Sequence, residues 1–152
     1  MNSDGSNVYR QAWHFTMDTT DFLKSNIRGK CLEVCSGESR IGDITLDIDA
    51  SLNPDIKGDM RDLDKLVEPG AFGTVLWDAP FNFYYKLDEF TRTLKKIASI
   101  ATDRIIVVGS NMFAPGLLGW KRTLYWGAHE ANTRIRLIWI YDRIDSRLPS
   151  LV

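Results

Sequence analysis

An acid, a proline and an aromatic residue follow one of the most hydrophobic stretches of this sequence. The stretch VLWDAPFNFYY, residues 75–85, runs from a predicted buried strand into Asp78, Ala79, Pro80 and Phe81. An unpaired carboxylate is costly to bury, and aromatic residues on a loop lack the packing partners of a core. The segment therefore predicts either a loop that folds back onto the core or a site that holds a flat, polar group.

Polar or small residues also follow three earlier predicted strands. The first strand ends in CSGES (residues 35–39), the second in DIDAS with Asp47 and Asp49, and the third in GDM with Asp59. Ligands bind at the carboxyl ends of strands in open α/β sheets, where one carboxylate can accept from two ribose hydroxyls and another from an adenine amine. An acid after a strand is also a common turn residue, so each exit alone is weak evidence. The succession of four such exits favours a site.

The elements that would position these residues are strands, some of them separated by helices. Strands are predicted over residues 31–37, 43–49, 55–60, 73–80, 104–110, 120–127 and 133–143. Helices are predicted from near Thr19 to Ile27 and over residues 86–101, where apolar residues recur at helical spacing. This pattern predicts an α/β fold with a mostly parallel central sheet, helices on both faces and an antiparallel C-terminal strand pair.

Composition limits the compartment and the partners. The 152 residues are 44% hydrophobic and 26% charged, which predicts one globular domain over residues 9–152 after a flexible tail, residues 1–8. A net charge of -1 gives no global attraction to nucleic acid, so such a substrate would have to meet a local basic patch.

The sequence also bears on membrane insertion, on the state of the cysteines and on metal binding. We expect no membrane span and no signal peptide, since no apolar run reaches roughly 18 residues and the first residues are polar. Cys31 and Cys35 are best interpreted as reduced thiols, which predicts a cytoplasmic protein. His14 and His129 show no metal-ligand spacing with the cysteines, so no metal is predicted.

With these exits in view, the sequence resembles the class I S-adenosylmethionine-dependent methyltransferases over nearly its whole length. CLEVCSGES is similar to the first motif of the family, an apolar strand with an acid that runs into a glycine-rich loop. The resemblance implies a single Rossmann-like methyltransferase domain, with S-adenosylmethionine as cofactor and S-adenosylhomocysteine as product. It also implies cofactor contacts from this segment, at Glu33, Cys35, Ser36, Gly37 and Ser39.

The later acids match further motifs of the family in chain order. LDIDAS resembles the segment with the ribose-binding acid, which Asp49 fits best, with Asp47 beside it. GDMRDL resembles the segment in which Asp59 meets the adenine amine and the Met60 backbone meets the ring. DAPF resembles the (Asp/Asn)-Pro-Pro-aromatic motif of enzymes that methylate exocyclic amines of adenine or cytosine in nucleic acids.

The DAPF resemblance implies why a hydrophobic strand ends on an acid. Asp78 and the Ala79 carbonyl would each accept a hydrogen from the target amine, while Pro80 biases Ala79 toward an extended backbone. Phe81 would stack on a base that is flipped out or already unpaired. Tyr84 is a further substrate-binding candidate, with packing under the following helix as the alternative.

Two basic residues of the C-terminal part, Lys121 and Arg122, are candidates for substrate phosphates, with a solvated surface as the alternative. Three features depart from the family pattern. Cys35 and Ser39 stand where glycines are usual, and Ala79 replaces the first proline of its motif. The segment between Gly37 and Asp43 is too short for the usual helix, which predicts a short first crossover.

Several functions stay open on the sequence alone. The leading prediction is methyl transfer to the exocyclic amine of adenine or cytosine in DNA or RNA. One alternative is a non-catalytic cofactor-binding or partner-recognition subunit, which the altered first loop and the lack of a separate target-recognition domain favour. Another is a methyltransferase for small-molecule or protein amines. A homodimer or a partner subunit for target recognition is compatible with each.

Overall fold

The helices and strands alternate along the chain as an α/β protein requires. The computed structural model describes residues 17–80, 86–109, 114–130 and 134–144. In chain order the elements are α1 (Met17–Asn26), β1 (Cys31–Val34), β2 (Ile44–Asp47), β3 (Ile56–Lys57), α2 (Leu63–Leu66), β4 (Phe72–Asp78), α3 (Leu87–Ile100), β5 (Ala101–Gly109), β6 (Trp120–Glu130) and β7 (Arg134–Arg143). Two 3-10 turns, Ala50–Leu52 and Met60–Asp62, follow β2 and β3.

Among the described residues, seven strands form one sheet in the order β3-β2-β1-β4-β5-β7-β6. Strands β1 to β5 are parallel, and β7 runs antiparallel to both β5 and β6. The order reverses between β1 and β4, which is where ligands bind in open α/β sheets. Val34 pairs with Trp77 in these two strands. The next residues, Cys35 and Asp78, therefore lie next to each other at the carboxyl ends of the two strands, at this switch point.

Alternating side chains of the central strands divide the core into two layers. On one face Val75, Trp77 and Ile105 pack with the buried residues of α2 and α3. On the other face Leu76 packs in a cluster with Leu23 of α1. Helix α3 covers the first of these faces because its apolar side chains lie along one side. Its buried residues recur at intervals of three and four: Phe90, Thr93, Leu94, Ile97 and Ile100.

Residues 35–43 join β1 to β2 without a helix, which confirms the predicted short first crossover. The segment lies directly on β1, because a Cβ on Gly42 would come within 2.7 Å of the Glu33 Cβ and 2.9 Å of its backbone nitrogen. The Asp43 carboxylate accepts the Cys31 N–H at 2.8 Å. Arg40 donates to the Thr45 hydroxyl at 2.6 Å. Side-chain hydrogen bonds thus attach this helix-free connection to β1 and β2.

The ends of the elements differ from the predicted ranges. Helix α1 includes Met17 and Asp18, which precede the predicted start near Thr19, and β1 and β2 are shorter than predicted because Cys35 and Asp49 lie in turns. Helix α2 was not predicted, since its four residues are too few to show a period. Residues 1–8 lie outside the described residues.

Candidate functional site

The loop after β1 has the backbone of a glycine-rich loop. The φ angle of Cys35 is 58° and that of Gly37 is 55°. This left-handed region is open to glycine and costly for a residue with a Cβ. The Cys35 N–H donates to the Leu46 carbonyl at 2.8 Å, and the Ser39 N–H donates to the Ser36 carbonyl at 2.9 Å. The backbone therefore takes a glycine conformation although the sequence has a cysteine.

The Cys35 side chain lies where four strand exits meet. Its Sγ is 3.4 Å from the Sδ of Met60, which follows β3. Burial raises the pKa of the thiol, and the carboxylates of Asp78, Asp47 and Asp59 raise it further. The thiol therefore stays protonated at neutral pH. The exits of β1, β2, β3 and β4 thus surround one sulfur, as the strand order predicts.

The two acids after β2 make different contacts. One oxygen of Asp47 accepts the Gly37 N–H at 2.8 Å and the other accepts the Asp49 N–H at 2.9 Å, so Asp47 joins the first loop to the second. Asp49 is exposed and accepts the N–H and the hydroxyl of Ser51, and these bonds lower its pKa. Ile48 between them is 63% exposed. Both carboxylates retain acceptor capacity for a ligand hydroxyl.

Asp59, after β3, is held by an arginine two residues later. The Arg61 Nε lies 3.0 and 3.1 Å from the two Asp59 oxygens, and the Nη2 lies 2.6 Å from one of them. The Arg61 backbone N–H adds a bond of 2.9 Å. The side-chain hydrogen bond with Arg61 lowers the pKa of Asp59. The acid expected to meet an adenine amine is therefore already paired with a guanidinium.

The DAPF motif begins at the end of β4. Asp78 is the last residue of the strand and is partly buried, Ala79 is 5% exposed, and Pro80 is exposed. Asp78 pairs with Val108 of β5, at the carboxyl end of the sheet. The two aromatic substrate-binding candidates, at positions 81 and 84, lie outside the described residues.

Glu33 lies inside β1 and is 1% exposed. Burial raises the pKa of its carboxyl group, and hydrogen bonds from Gly42 and Ser39 partly offset this effect. The Gly42 N–H donates to Oε2 at 2.8 Å. Within the described part of the chain, Oε1 has no hydrogen-bond partner. Glu33 therefore holds the first crossover against β1 through its hydrogen bond with Gly42.

Lys121 and Arg122 lie toward the other end of the sheet. Through β7, Arg122 is level with Ile105 of β5, whereas Asp78 is level with Val108. Three residues along a strand are about 10 Å, and the three strand spacings from β4 to β6 add about 14 Å across the sheet. The structure brings the acids together and does not bring these two cations to them.

Metal binding and membrane insertion have no structural support in the described ranges. Those ranges contain no cluster of His, Cys, Asp or Glu side chains arranged to hold a metal ion. None of the helices in the same ranges has the length and apolar character that crossing a membrane needs.

Several solved structures share this architecture. An rRNA methylase from Streptococcus thermophilus matches with a TM-score of 0.55 at 12% identity, over 84% of this chain and 95% of that chain. The fold is that of the Rossmann-like methyltransferases. A candidate methyltransferase from Streptococcus mutans in complex with SAH matches with a TM-score of 0.50 at 14% identity, over 82% of this chain and 94% of that chain. A candidate tRNA (m1A22) methyltransferase from Streptococcus pneumoniae, in complex with S-adenosyl-L-methionine, matches with a TM-score of 0.52 at 12% identity, over 90% and 77%.

No protein-family model and no curated protein sequence matches this chain. Identities this low establish a shared methyltransferase fold and not a shared activity. The matches confirm the predicted fold class, a Rossmann-like domain with a mostly parallel sheet, helices on both faces and an antiparallel C-terminal strand pair.

Two residues at the site of this methyltransferase fold were not predicted from the sequence, Ile48 and Arg61. Ile48 is a large apolar residue left exposed between Asp47 and Asp49. Arg61 is two residues after Asp59, a spacing that lets a side chain return to the acid within one tight turn. That spacing was the available signal for Arg61.

Proposed function

We propose that this protein is an S-adenosylmethionine-dependent methyltransferase that methylates the exocyclic amine of adenine or cytosine in DNA or RNA. The observation that carries the proposal is the convergence of the exits of β1, β2, β3 and β4 around Cys35, at the switch point of the sheet. Solved structures of this fold hold SAH and S-adenosyl-L-methionine, which supports the choice of cofactor.

The residues at the switch point fit a ligand with a ribose, an adenine and a cationic centre. The first loop has left-handed backbone at Cys35 and Gly37, as a glycine-rich loop has, and the missing Cβ at Gly37 permits close approach of a ligand. Ser36 and Ser39 are buried in the same loop, and Glu33 supports it. Carboxylates around the loop favour a positive charge such as a sulfonium.

We assign the ribose hydroxyls first to Asp47. The motif resemblance favours Asp49, but Asp47 is the acid that is hydrogen-bonded to the first loop, at Gly37. Asp49 follows two residues later and caps the 3-10 turn by accepting the Ser51 N–H. Asp59 and the Met60 backbone remain the proposed contacts for the adenine.

The bound cofactor would supply an activated methyl group, so the task of the protein is to position the acceptor amine. The Asp78 carboxylate and the Ala79 carbonyl would accept its hydrogens, which draws the nitrogen lone pair out of conjugation with the ring. Ala79 is buried, and its carbonyl is a stronger acceptor where water is scarce. Phe81 and Tyr84 stay the proposed stacking residues.

The proposal is tested first by calorimetric titration with S-adenosylmethionine and SAH. At a ligand concentration of 100 times the dissociation constant, binding should stabilise the folded protein by about 2.7 kcal/mol and raise its melting temperature. If a well-folded sample shows no binding heat and no rise in melting temperature at saturating ligand, the methyltransferase assignment is contradicted.

Radiolabelled methyl transfer to DNA, RNA and protein pools then tests the substrate. Hydrolysis of the labelled polymer should release a base methylated on its exocyclic amine. The Asp78→Ala variant is the control, because it should bind cofactor and lack transfer. Cofactor binding without transfer to any pool would favour the non-catalytic subunit, and label in protein would favour the protein-amine alternative.

A further inference from the structure

The Arg61 guanidinium occupies the same carboxylate that the proposed cofactor needs. A carboxylate offers about four acceptor positions. At Asp59 they are approached by the Arg61 backbone N–H, by Nε shared between both oxygens, and by Nη2. An amine that arrives at Asp59 therefore has to displace at least one bond to Arg61. The pair is accessible for such an exchange, since 56% of the Arg61 side chain and 21% of the Asp59 side chain are exposed.

A second carboxylate is available to Arg61 on helix α3. Glu89 lies in the first turn of that helix. Within the described residues, its Oε2 is buried and has no hydrogen-bond partner. The Asp59 hydrogen bond raises the pKa of the Arg61 guanidinium, and the nearby Glu89 carboxylate raises it further. A buried carboxylate oxygen without a partner is unfavourable, and a guanidinium would satisfy it.

The backbone of Arg61 is attached to α3 independently of its side chain. The Lys96 ammonium of α3 donates to the Arg61 carbonyl. The same ammonium is 2.8 Å from the Asp64 carboxylate of α2. The 3-10 turn Met60–Asp62 is thereby attached to the helix that carries Glu89.

We propose that Arg61 competes with the adenine amine of the cofactor for Asp59, and that Glu89 receives the guanidinium when the amine binds. This inference rests on the proposed function and adds a residue that sets its cofactor affinity. Glu89 lies in the first turn of α3, the helix that follows the DAPF motif in the chain. The exchange therefore also links cofactor binding to the start of α3.

The exchange is tested by calorimetric titration of SAH into the full chain and three variants, Arg61→Met, Glu89→Gln and the double variant. Arg61→Met should bind SAH roughly two- to fivefold more tightly, the range that a partly exposed ion pair allows. Glu89→Gln should bind more weakly than the parent, because the displaced guanidinium loses its charged partner. In the Arg61→Met background, Glu89→Gln should have no further effect.

Two matched control variants each remove one charge, one positive and one negative, from exposed residues near Arg61 and Glu89 in the chain. Lys65→Met removes a cation from α2, and Asp88→Asn removes an acid from the first turn of α3. Both should bind SAH as the parent does. Melting temperatures without ligand identify any variant that is not folded at the titration temperature.

An analogue without the amine makes the test specific. S-inosylhomocysteine carries an oxygen in place of the adenine amine, so Arg61→Met should lose its advantage over the parent with this ligand. If the parent binds SAH and a folded Arg61→Met binds equally or more weakly, the competition is refuted and the proposed function stands. If neither protein binds SAH, the proposed function fails and the competition fails with it.

Discussion

At the scale of single residues, the acids at the exits of β2 and β3 hold turns. Asp47, Asp49 and Asp59 each accept the backbone N–H of the residue two positions later. This is the turn role that an acid after a strand often plays. At Asp47 and Asp49 the turn role orients the acid and leaves acceptor positions for a ligand, whereas at Asp59 a ligand has to displace a bond to Arg61.

The left-handed backbone of Cys35 predicts an unusual order of stability among its variants. Cys35→Gly should unfold at the same or a higher urea concentration than the parent, because glycine adopts this φ without strain. Cys35→Val should lower the free energy of unfolding by about 1–2 kcal/mol, since a β-branched residue fits this region poorly. As a control, Cys31→Gly should lower it by about 2 kcal/mol or more, because Cys31 is fully buried in β1.

Asp78 predicts a separation of binding from catalysis. Asp78→Ala should leave S-adenosylmethionine affinity within a few-fold of the parent and reduce methyl transfer by about 100-fold or more, because its contact is made mainly in the transition state. Asp78→Asn keeps one acceptor oxygen and should retain partial activity. Titration and transfer assays on the same samples measure both effects. Loss of cofactor binding or of folding in Asp78→Ala would instead make Asp78 a cofactor ligand or a structural residue.

At the scale of elements, side-chain hydrogen bonds take the place of the missing first helix. Asp43 binds the start of β1, Arg40 binds β2 and the carbonyls of Leu52 and Asn53, and Asp47 binds the first loop. The site depends on these side chains for the position of its loops.

Asp47 should therefore matter more than Asp49 for both loop order and cofactor affinity. Asp47→Ala removes a proposed ribose acceptor and the bond to the Gly37 N–H, whereas Asp49→Ala removes only an exposed turn cap. Calorimetry should rank Asp47→Ala as the weaker binder. Hydrogen exchange of the Gly37 amide should be faster in Asp47→Ala alone, without any ligand present. The opposite affinity ranking would return the ribose contact to Asp49.

At the scale of the whole molecule, the acids of the candidate site and the two C-terminal cations lie toward opposite ends of the sheet. The acids lie at the carboxyl ends of the parallel strands, while Lys121 and Arg122 lie toward the other end, on the edge strand. Arg122 also donates to the Ala114 carbonyl, which attaches the segment before β6. Lys121 is therefore the cleaner probe of phosphate binding.

A phosphate contact at Lys121 should depend on the length of the substrate. Lys121→Ala should reduce the salt dependence of affinity for a long oligonucleotide by about 0.7–0.9 in log–log slope. It should not change binding of an oligonucleotide too short to reach from Asp78 to the far end of the sheet. Fluorescence anisotropy over a salt series measures both slopes. An unchanged slope with the long substrate assigns Lys121 to the solvated surface.

Burial of Glu33 makes the stability of the whole domain depend on pH. Its folded pKa is raised above the ordinary value of 4.5, so the stability that the protonated form contributes is lost as pH rises through the folded pKa. Glu33→Gln carries no charge, so its free energy of unfolding should increase relative to that of the parent between pH 5 and pH 8. Urea denaturation at both pH values measures the difference. The exposed Glu68→Gln variant is the control and should follow the parent.

The sequence by itself determined the fold class, the order of the strands in the chain and the acids that follow them. These features follow from local patterns, because an apolar run predicts a buried strand and helical spacing predicts α3. The meeting of Asp47, Asp59 and Asp78 also follows, because parallel strands place their carboxyl ends at one edge.

Only the tertiary structure decided which partner each of these groups has. The left-handed turn at Cys35, the bond from Gly37 to Asp47 and the capture of Asp59 by Arg61 depend on loop conformations that residue types do not specify. The place of Lys121 depends on two registers, because Lys121 pairs with Asp142 of β7 and Asp142 pairs with Arg104 of β5, which is 38 positions away in the chain. Long-range register and hydrogen bonding are properties of the folded chain, because they arise only when distant segments pack together.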